Sequence, residues 1–443
     1  MPRRARTVVI GLGRTGLSAA CHLREAGHDV LVMDSRAEPP ARAELERVAP
    51  DVEIHAGGFE VALLRDATEL VVSPGVSLNV SIVQAARARG IPVLGDIELF
   101  ARSACAPVIG VTGSNGKSTV TTLVARMLEA GGARVQAGGN LGVPALDLLR
   151  APVPDWYVLE LSSFQLERTQ SLRTRAAVVL NVSADHLDRH ADMDEYAAAK
   201  GGIYRNCDVA VVNADDAVAA RLAAGNQRRI EFTLGSPPAD GFGLIESASA
   251  AQLARGDEPL MPASDLRLAG RHNVANALAA LALCAAAGVP LAGTLDALRS
   301  FTGLPHRMQL VAESRGVRWI DDSKGTNVGA TVAAVRGLEG SFVLIAGGLG
   351  KGADFTPLAA ALHRRARAVV LIGADAPSIA AALEGRCRIE RATSMEDAVR
   401  RAAALAEPGD AVLLSPACAS QDMFVDYADR GDQFARAARS QAA

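Results

Sequence analysis

A chain of 443 residues, 49% hydrophobic and 21% charged, has the material for two to four domains with their own cores. Its net charge of -3 comes without a basic tract, which removes the electrostatic support for binding nucleic acid or an acidic membrane. Six scattered cysteines with no CxxC pair suggest neither a zinc site nor a disulfide framework, and no apolar run is long enough to span a membrane.

The N-terminus, MPRRARTVVIGLG, sets positive charge before an apolar run. Gly11 and Gly13 break that run too early for a secretory signal, so a cytoplasmic protein is expected. Residues 7–10 (TVVI) read as a buried strand entering GLGRTG and a helix to about Ala26. VLVMD (30–34), ELVVSPG (69–75) and IPVLG (91–95) add strands, and their alternation with helices predicts a parallel sheet ending near residue 95. A second strand–loop–helix begins at PVIGVTGSNGKSTVTTLVARMLEAGG (107–132). Strands follow in WYVLEL (156–161), AAVVLNV (176–182) and DVAVVNA (208–214), then short strands and turns over 230–268 and a helix over 271–288. FTGLPH (301–306) marks the next boundary. A third set of strands lies in VRWIDDS, FVLIAGG (342–348), AVVLIG (368–373) and AVLLSPA (411–417). The chain therefore reads as α/β, with three units in series over 1–95, 96–302 and 303–443.

Of 46 basic residues only Lys117, Lys200, Lys324 and Lys351 are lysine. Arginine meets the generic need for surface charge, so each lysine is a candidate for work that needs a compact ammonium or a nucleophilic amine. Lys117 lies in Gly113-Ser114-Asn115-Gly116-Lys117-Ser118-Thr119, after an apolar strand and at the start of a helix. Backbone N–H groups of such a loop cradle phosphates, with the lysine on the β- and γ-phosphates and Ser118 or Thr119 reaching Mg²⁺. Val111 stands where strict P-loop spacing has its first glycine, and an ordinary glycine-rich turn is the alternative.

Gly11, Gly13 and Gly16, with Asp34 ending the next strand, resemble a dinucleotide fingerprint. They support a diphosphate-sized anion at a helix N-terminus, and leave NAD, FAD, a nucleotide-diphosphate sugar or simple tight packing open. Glu160 ends WYVLEL beside Ser162, Ser163 and Gln165, and suits either Mg²⁺ or a helix N-terminus. Asn181, Asp185 and Asp188 flank His186 and favour a metal or phosphate role for it, whereas His190 reads as surface. Lys200 in EYAAAKGG reads either as a solvated helix lysine or as an amine of perturbed pKa, open to covalent modification. Loops after four strands of the third unit carry His306-Arg307, Asp321 to Asn327, Gly347 to Lys351 and Ser415 to Ser420, an anion-recognising face.

Taken in order, TGSNGKST, GGNLG (138–142), ELSSFQLE, NVSADHLDRH, AAAK, GRHNVANALAA, GLPHRMQ, DDSKGTN, GGLGKGADF and LLSPACAS resemble the Mur ligases of bacterial peptidoglycan synthesis. The resemblance covers essentially the whole chain and is nearest to members that add D-glutamate. Folylpolyglutamate synthases share the central P-loop and third domain but not the GLGRTG unit.

The resemblance implies a Rossmann-like N-terminal domain for a UDP-substrate, a P-loop ATPase-like central domain and a Rossmann-like C-terminal domain for glutamate. It implies a cytoplasmic ligase serving cell-wall biogenesis, cell shape and division; no extended apolar stripe in the sequence demands a partner, so a monomer is expected. ATP phosphorylates the carboxylate of UDP-N-acetylmuramoyl-L-alanine, the amine of D-glutamate attacks the acyl phosphate, and a tetrahedral intermediate collapses to amide and phosphate.

Carried onto this chain, the resemblance gives Gly113 to Thr119 to ATP, together with Asn273, Arg307 and Asp322. It gives Ser118, Glu160, His186 and a carbamylated Lys200 to Mg²⁺, and Asn140 and His186 to the reacting muramyl-peptide end. Gly13, Arg14, Thr15, Asp34, Ser35, Arg36, Ser73 and Gly75 fall to the uracil and diphosphate, and Lys324, Thr326, Lys351 and Ser420 to glutamate. The chain departs from relatives at Arg14, where an aliphatic residue is familiar, and at Gln421 and Tyr427, in place of Leu and Phe. These leave another Mur ligase or an L-glutamate-adding variant as the alternative. A nucleotide-dependent dehydrogenase leaves GKST unexplained, and a non-catalytic P-loop regulator would show no ATP turnover with both substrates supplied.

Overall fold

The computed structural model describes residues 6–140, 142–187, 189–246, 251–268, 270–338 and 340–442. Leu141, Asp188 and the charged start of the N-terminal segment, all part of the motifs quoted above, lie outside the described residues. Three sheets follow one another along the chain. The first has five parallel strands in the order Glu53–Ala56, Asp29–Asp34, Arg6–Ile10, Ala67–Val72, Val93–Leu94. The order reverses beside Arg6–Ile10, and such a switch opens a crevice at the carboxyl ends of the strands.

The central sheet has nine strands, with Val108–Thr112 between Thr174–Val179 and Trp156–Glu160. Val108–Thr112 is buried along its whole length, as a strand covered on both faces must be. The alanine- and leucine-rich helix Arg271–Ala287 and the helix Lys117–Ala130 supply much of that cover, packed against each other and the sheet. The third sheet has six strands, Gln309–Ser314, Val317–Asp321, Ala411–Leu414, Phe342–Gly347, Ala366–Ile372 and Arg388–Arg391.

The first sheet is parallel throughout, as the alternation of strands and helices predicts, whereas the other two are mixed. Gln252–Arg255 pairs antiparallel with both Phe242–Ile245 and Glu258–Pro262, and Gln309–Ser314 pairs antiparallel with Val317–Asp321. The last hairpin turns through Arg315 and Gly316, with φ of 52° and 75°, the left-handed pair that suits a two-residue turn. Glu53–Ala56, Val135–Gly139 and Arg388–Arg391 are strands without an apolar run. All three are partly exposed, so nothing forces their residues to be hydrophobic.

One buried cluster runs continuously from Val9, Leu12 and Val32 of the first unit through Phe100 to Tyr157, Leu159 and Val179 of the second. Phe100 and Tyr157 meet edge to face at 5.1 Å. The third unit keeps clusters of its own. It is joined through 301–305, where Gly303 has φ +95°, and it touches the centre through polar contacts. Arg307 donates to Ser118 Oγ at 2.9 Å, and Asn327 Nδ2 donates to Asp185 Oδ2 at 3.0 Å and Asn115 Oδ1 at 3.3 Å. Among the described residues no helix is long and apolar enough to cross a membrane.

Candidate active site

The phosphate-type loop is shaped by two glycines. Gly113 has φ +151° and a Cβ there would sit 3.0 Å from Leu180 Cβ; Gly116, with φ +85°, caps Lys117–Ala130 and a Cβ would sit 2.5 Å from Asn276 Oδ1. Lys117 Nζ folds back on the loop and donates to Gly113 O at 2.8 Å and Ser114 O at 2.9 Å. Lys200 comes from the helix Met193–Gly201, started by Asp192 accepting from Glu195 N. Its buried Nζ also donates to Gly113 O, at 2.9 Å, and lies 4.4 Å from the Tyr196 ring centre. Tyr196, one turn earlier, places its hydroxyl 3.1 Å from Ser114 Oγ. The solvated reading of Lys200 is thereby excluded, since the residue is 2% exposed.

Burial lowers the pKa of Lys117, against the pull of Glu160 and Asp185. Burial drives Lys200 well below the ordinary lysine value, and the charge of Lys117 pushes it the same way. Both amines therefore sit in a desolvated place where the attraction of Glu160 and Asp185 is outweighed by burial.

Glu160, at the end of its strand, is 3% exposed. Its Oε1 accepts from Asn140 Nδ2 at 2.6 Å, while its Oε2 is buried with no partner among the described residues. His186, with φ +57°, has Nε2 3.6 Å from Asp185 Oδ2 and its ring edge-on to Phe164 at 5.0 Å. Burial, opposed by Asp185 and reinforced by Lys351, Lys117 and Lys200, lowers its pKa to about 4, so the imidazole is neutral at pH 7. His190 is not at the surface as expected. It is 3% exposed, stacks on Phe164 at 5.3 Å and has Nε2 3.0 Å from Ser163 Oγ.

One cleft is lined by Ser114 to Ser118, Asn140, Glu160, His186 and Lys200 from the centre, and by Arg307, Lys324 and Thr326 from the third unit. An adjoining cleft has amides from Asn181, Asn273 and Asn276, apolar walls from Phe232, Leu268 and Leu304, and also Thr119 and Asp322. Arg307 lies half-buried where the two meet, and desolvation lowers its pKa. Asp322 accepts from Ser415 Oγ at 2.7 Å, and burial raises its pKa to about 7. Lys324 Nζ sits 3.6 Å over the Tyr427 ring, and burial lowers it to about 8. Lys351 and Ser420 are on neighbouring loops joined by a Leu349–Ala419 bridge, and neither lines these clefts.

The first unit has a separate cleft at its strand ends, lined by Gly13, Arg14, Thr15, Asp34, Ser35, Arg36, Ser73 and Gly75. Asn140 belongs instead to the phosphate-loop cleft. The Asp34 carboxylate is already engaged: it accepts from Leu12 N at 2.7 Å and takes Arg36 Nε and a terminal nitrogen at 2.8 and 2.6 Å. Burial alone would raise its pKa, but these bonds hold it down at about 2. It braces the loop and leaves Arg36 as the half-exposed charge. Tyr196, Asp185 and Asn327 carry no assigned role in the motif reading yet stand in the phosphate-loop cleft. Tyr196 was open to detection, lying one helical turn before Lys200.

Family models match three stretches: a Mur ligase MurD-like N-terminal domain over residues 5–95, a Mur ligase middle domain over 111–284, and a Mur ligase glutamate ligase domain over 306–418. The chain is 56% identical over 437 residues to the UDP-N-acetylmuramoylalanine--D-glutamate ligase of Nitrosococcus oceani, covering 98% of this chain and 96% of that one. It is 53% identical to the ligase of the same name from Methylobacillus flagellatus, covering 97% and 96%. Among solved structures, UDP-N-acetylmuramate-alanine ligase from Thermotoga maritima superposes with a TM-score of 0.62 at 20% identity, covering 98% of this chain and 99% of that one, which bears on the fold.

Proposed function

Because the chain belongs to the Mur ligase family, we propose that it uses ATP to join D-glutamate to UDP-N-acetylmuramoyl-L-alanine in peptidoglycan precursor synthesis, releasing ADP and phosphate. It works in the cytoplasm as a monomer without a nucleic-acid or membrane partner. The observation that carries the reading is the shared cleft, where Lys117, Arg307 and Lys324 converge from two domains around one phosphate loop, with the buried Lys200 amine beside them. Basic groups that have no carboxylate at hydrogen-bond distance among the described residues suit a polyanion that arrives with the substrates.

In this reading the amide-lined cleft takes the nucleoside of ATP, with Asn273 and Asp322 in its wall. Lys117 and the loop N–H groups hold the phosphates, and Arg307, braced on Ser118, neutralises charge that develops as the phosphoryl group moves to the alanyl carboxylate. Lys324 and Thr326 face the acyl phosphate from the glutamate side. Lys351 and Ser420, one loop further out, take the incoming glutamate's carboxylates. Arg14, Thr15, Arg36 and Ser73 hold the UDP in the first cleft.

Mg²⁺ fits the donor set. Glu160 Oε2 is a buried carboxylate oxygen without a partner among the described residues. A hard cation there would be held by a few protein ligands and completed by phosphates and water. Glu160, His186 and Ser118 would hold it, with Lys200 as a carbamate, and the cation supplies charge neutralisation at the phosphates.

A phosphate-release assay across a panel of amino acids tests the function. Release is expected with ATP, Mg²⁺, UDP-N-acetylmuramoyl-L-alanine and D-glutamate together, and not when any is omitted. Faster release with L-glutamate would move the assignment to the L-adding variant, which Gln421 and Tyr427 keep in play.

A further inference from the structure

The loop after strand Ala67–Val72 contributes Ser73, Pro74, Gly75 and Val76 to the first-domain cleft. Its carbonyls are held from outside the domain. Arg168, from the central domain, donates to Val72 O at 3.1 Å, Ser73 O at 2.7 Å and Val76 O at 2.7 Å. The Arg168 side chain is 1% exposed, with Glu167 3.0 Å away as its ion-pair partner. Space for it is reserved on the linker: a Cβ on Gly95 would stand 3.2 Å from Arg168 Cβ. Arg189, three residues past His186, donates to Gly75 O and Val76 O, both at 3.1 Å, and covers the Phe164 ring at 4.7 Å.

Burying a guanidinium this deeply carries a desolvation cost, which its three carbonyl bonds and the Glu167 pair must offset. Domains that merely adhere can do so through the apolar cluster that already spans them. The arginine is spent instead on a single loop, the one whose other side faces the cleft.

We propose that Arg168 is a positioning residue for the nucleotide end of the substrate. It sets the height of the Ser73–Val76 loop against the central domain, and so the span between the diphosphate anchor and the phosphate loop. This rests on the reading that the first-domain cleft takes the UDP. Arg168 touches no substrate and acts through the loop.

The test uses the full chain with Arg168→Met, which keeps the stem and removes the donors. UDP binding by calorimetry is expected to weaken roughly tenfold, and KM for UDP-N-acetylmuramoyl-L-alanine to rise by a similar factor, with KM for ATP and glutamate near wild type. Turnover of N-acetylmuramoyl-L-alanine without UDP, which does not use the loop, should be unchanged. A variant that loses activity on both acyl substrates in parallel, or binds UDP as wild type does, overturns the proposal. If Arg168→Met does not fold, Arg168→Lys serves. A single ammonium cannot hold three carbonyls, so a smaller selective weakening is expected, and unaltered UDP affinity overturns the idea. Wild type that binds UDP but releases no phosphate would undo the proposed function alone, because the UDP titration does not depend on turnover.

Discussion

Replacing Lys200 by alanine separates two accounts of the same buried amine. Lys117 and Lys200 donate to one oxygen at 2.8 and 2.9 Å, which puts their nitrogens within about 6 Å of each other. At an effective dielectric constant near 20, two like unit charges at that separation repel by about 3 kcal/mol. A carbamate on Lys200 inverts the sign, so the modified side chain attracts Lys117 and any cation held by Glu160. Carbon dioxide adds only to the neutral amine. An exposed lysine is neutral in roughly one molecule in a thousand at pH 7.5. Burial and Lys117 raise that share for Lys200 by lowering its pKa. Losing an attraction of about 3 kcal/mol in the transition state corresponds to a fall of about two orders of magnitude in kcat. Phosphate release by Lys200→Ala is the assay, with and without formate or acetate. Partial rescue by these carboxylates is expected, because they can stand where the carbamate oxygens stood. A folded variant that keeps most of its activity, or loses it without any carboxylate rescue, refutes the reasoning.

Lys117→Met is expected to fold normally and to lose about a hundredfold or more in kcat, since one charge-assisted contact to a transferring phosphoryl group is worth about 3 kcal/mol; near-normal turnover would end the phosphate-loop assignment. Asp322 ionises near 3.8 when unfolded and about 7 when folded. The folded chain therefore keeps a proton that the unfolded chain has released, and stability falls as pH rises from about 4 to 7, by on the order of 4 kcal/mol at most. Asp322→Asn should flatten that part of the ligand-free unfolding profile; a slope identical to wild type argues against a buried neutral carboxyl. The third domain, with its own core and a Gly303 hinge, is expected to close on the centre when all substrates are present. Small-angle scattering unchanged by ligands contradicts this.

Much of the architecture was legible because parallel strands buried on both faces must be written in apolar residues, as in TVVI, FVLIAGG and AVVLIG. The partly exposed edge strands Glu53–Ala56 and Arg388–Arg391 carry no such signature. The scarcity of lysine singled out Lys117, Lys200 and Lys324 before any geometry, and all three line one cleft. Lys351 passed the same test and lies on a loop outside it. His190 was misread because a histidine two residues from an aspartate looks solvated in sequence, whereas Phe164 and Ser163, some 27 positions away, give it a ring to stack on and a hydroxyl to bond. Arg168 could not be found by any such argument. In a chain that uses arginine wherever it needs charge, an arginine bonded to carbonyls nearly a hundred residues away looks like all the others.

If the loop takes phosphate as proposed, the two peptide oxygens on which Lys117 rests, Gly113 O and Ser114 O, bear on how fast nucleotide enters and leaves. A carboxylate in their place would oblige an arriving phosphate to exchange one full ionic partner for another. Neutral peptide oxygens yield more readily, and their dipoles keep the Lys117 side chain aimed meanwhile. The loop thus holds one oriented amine in a state that is easily unlatched. The same oxygens take it back once the phosphates depart, so that resetting this side chain needs no external anion.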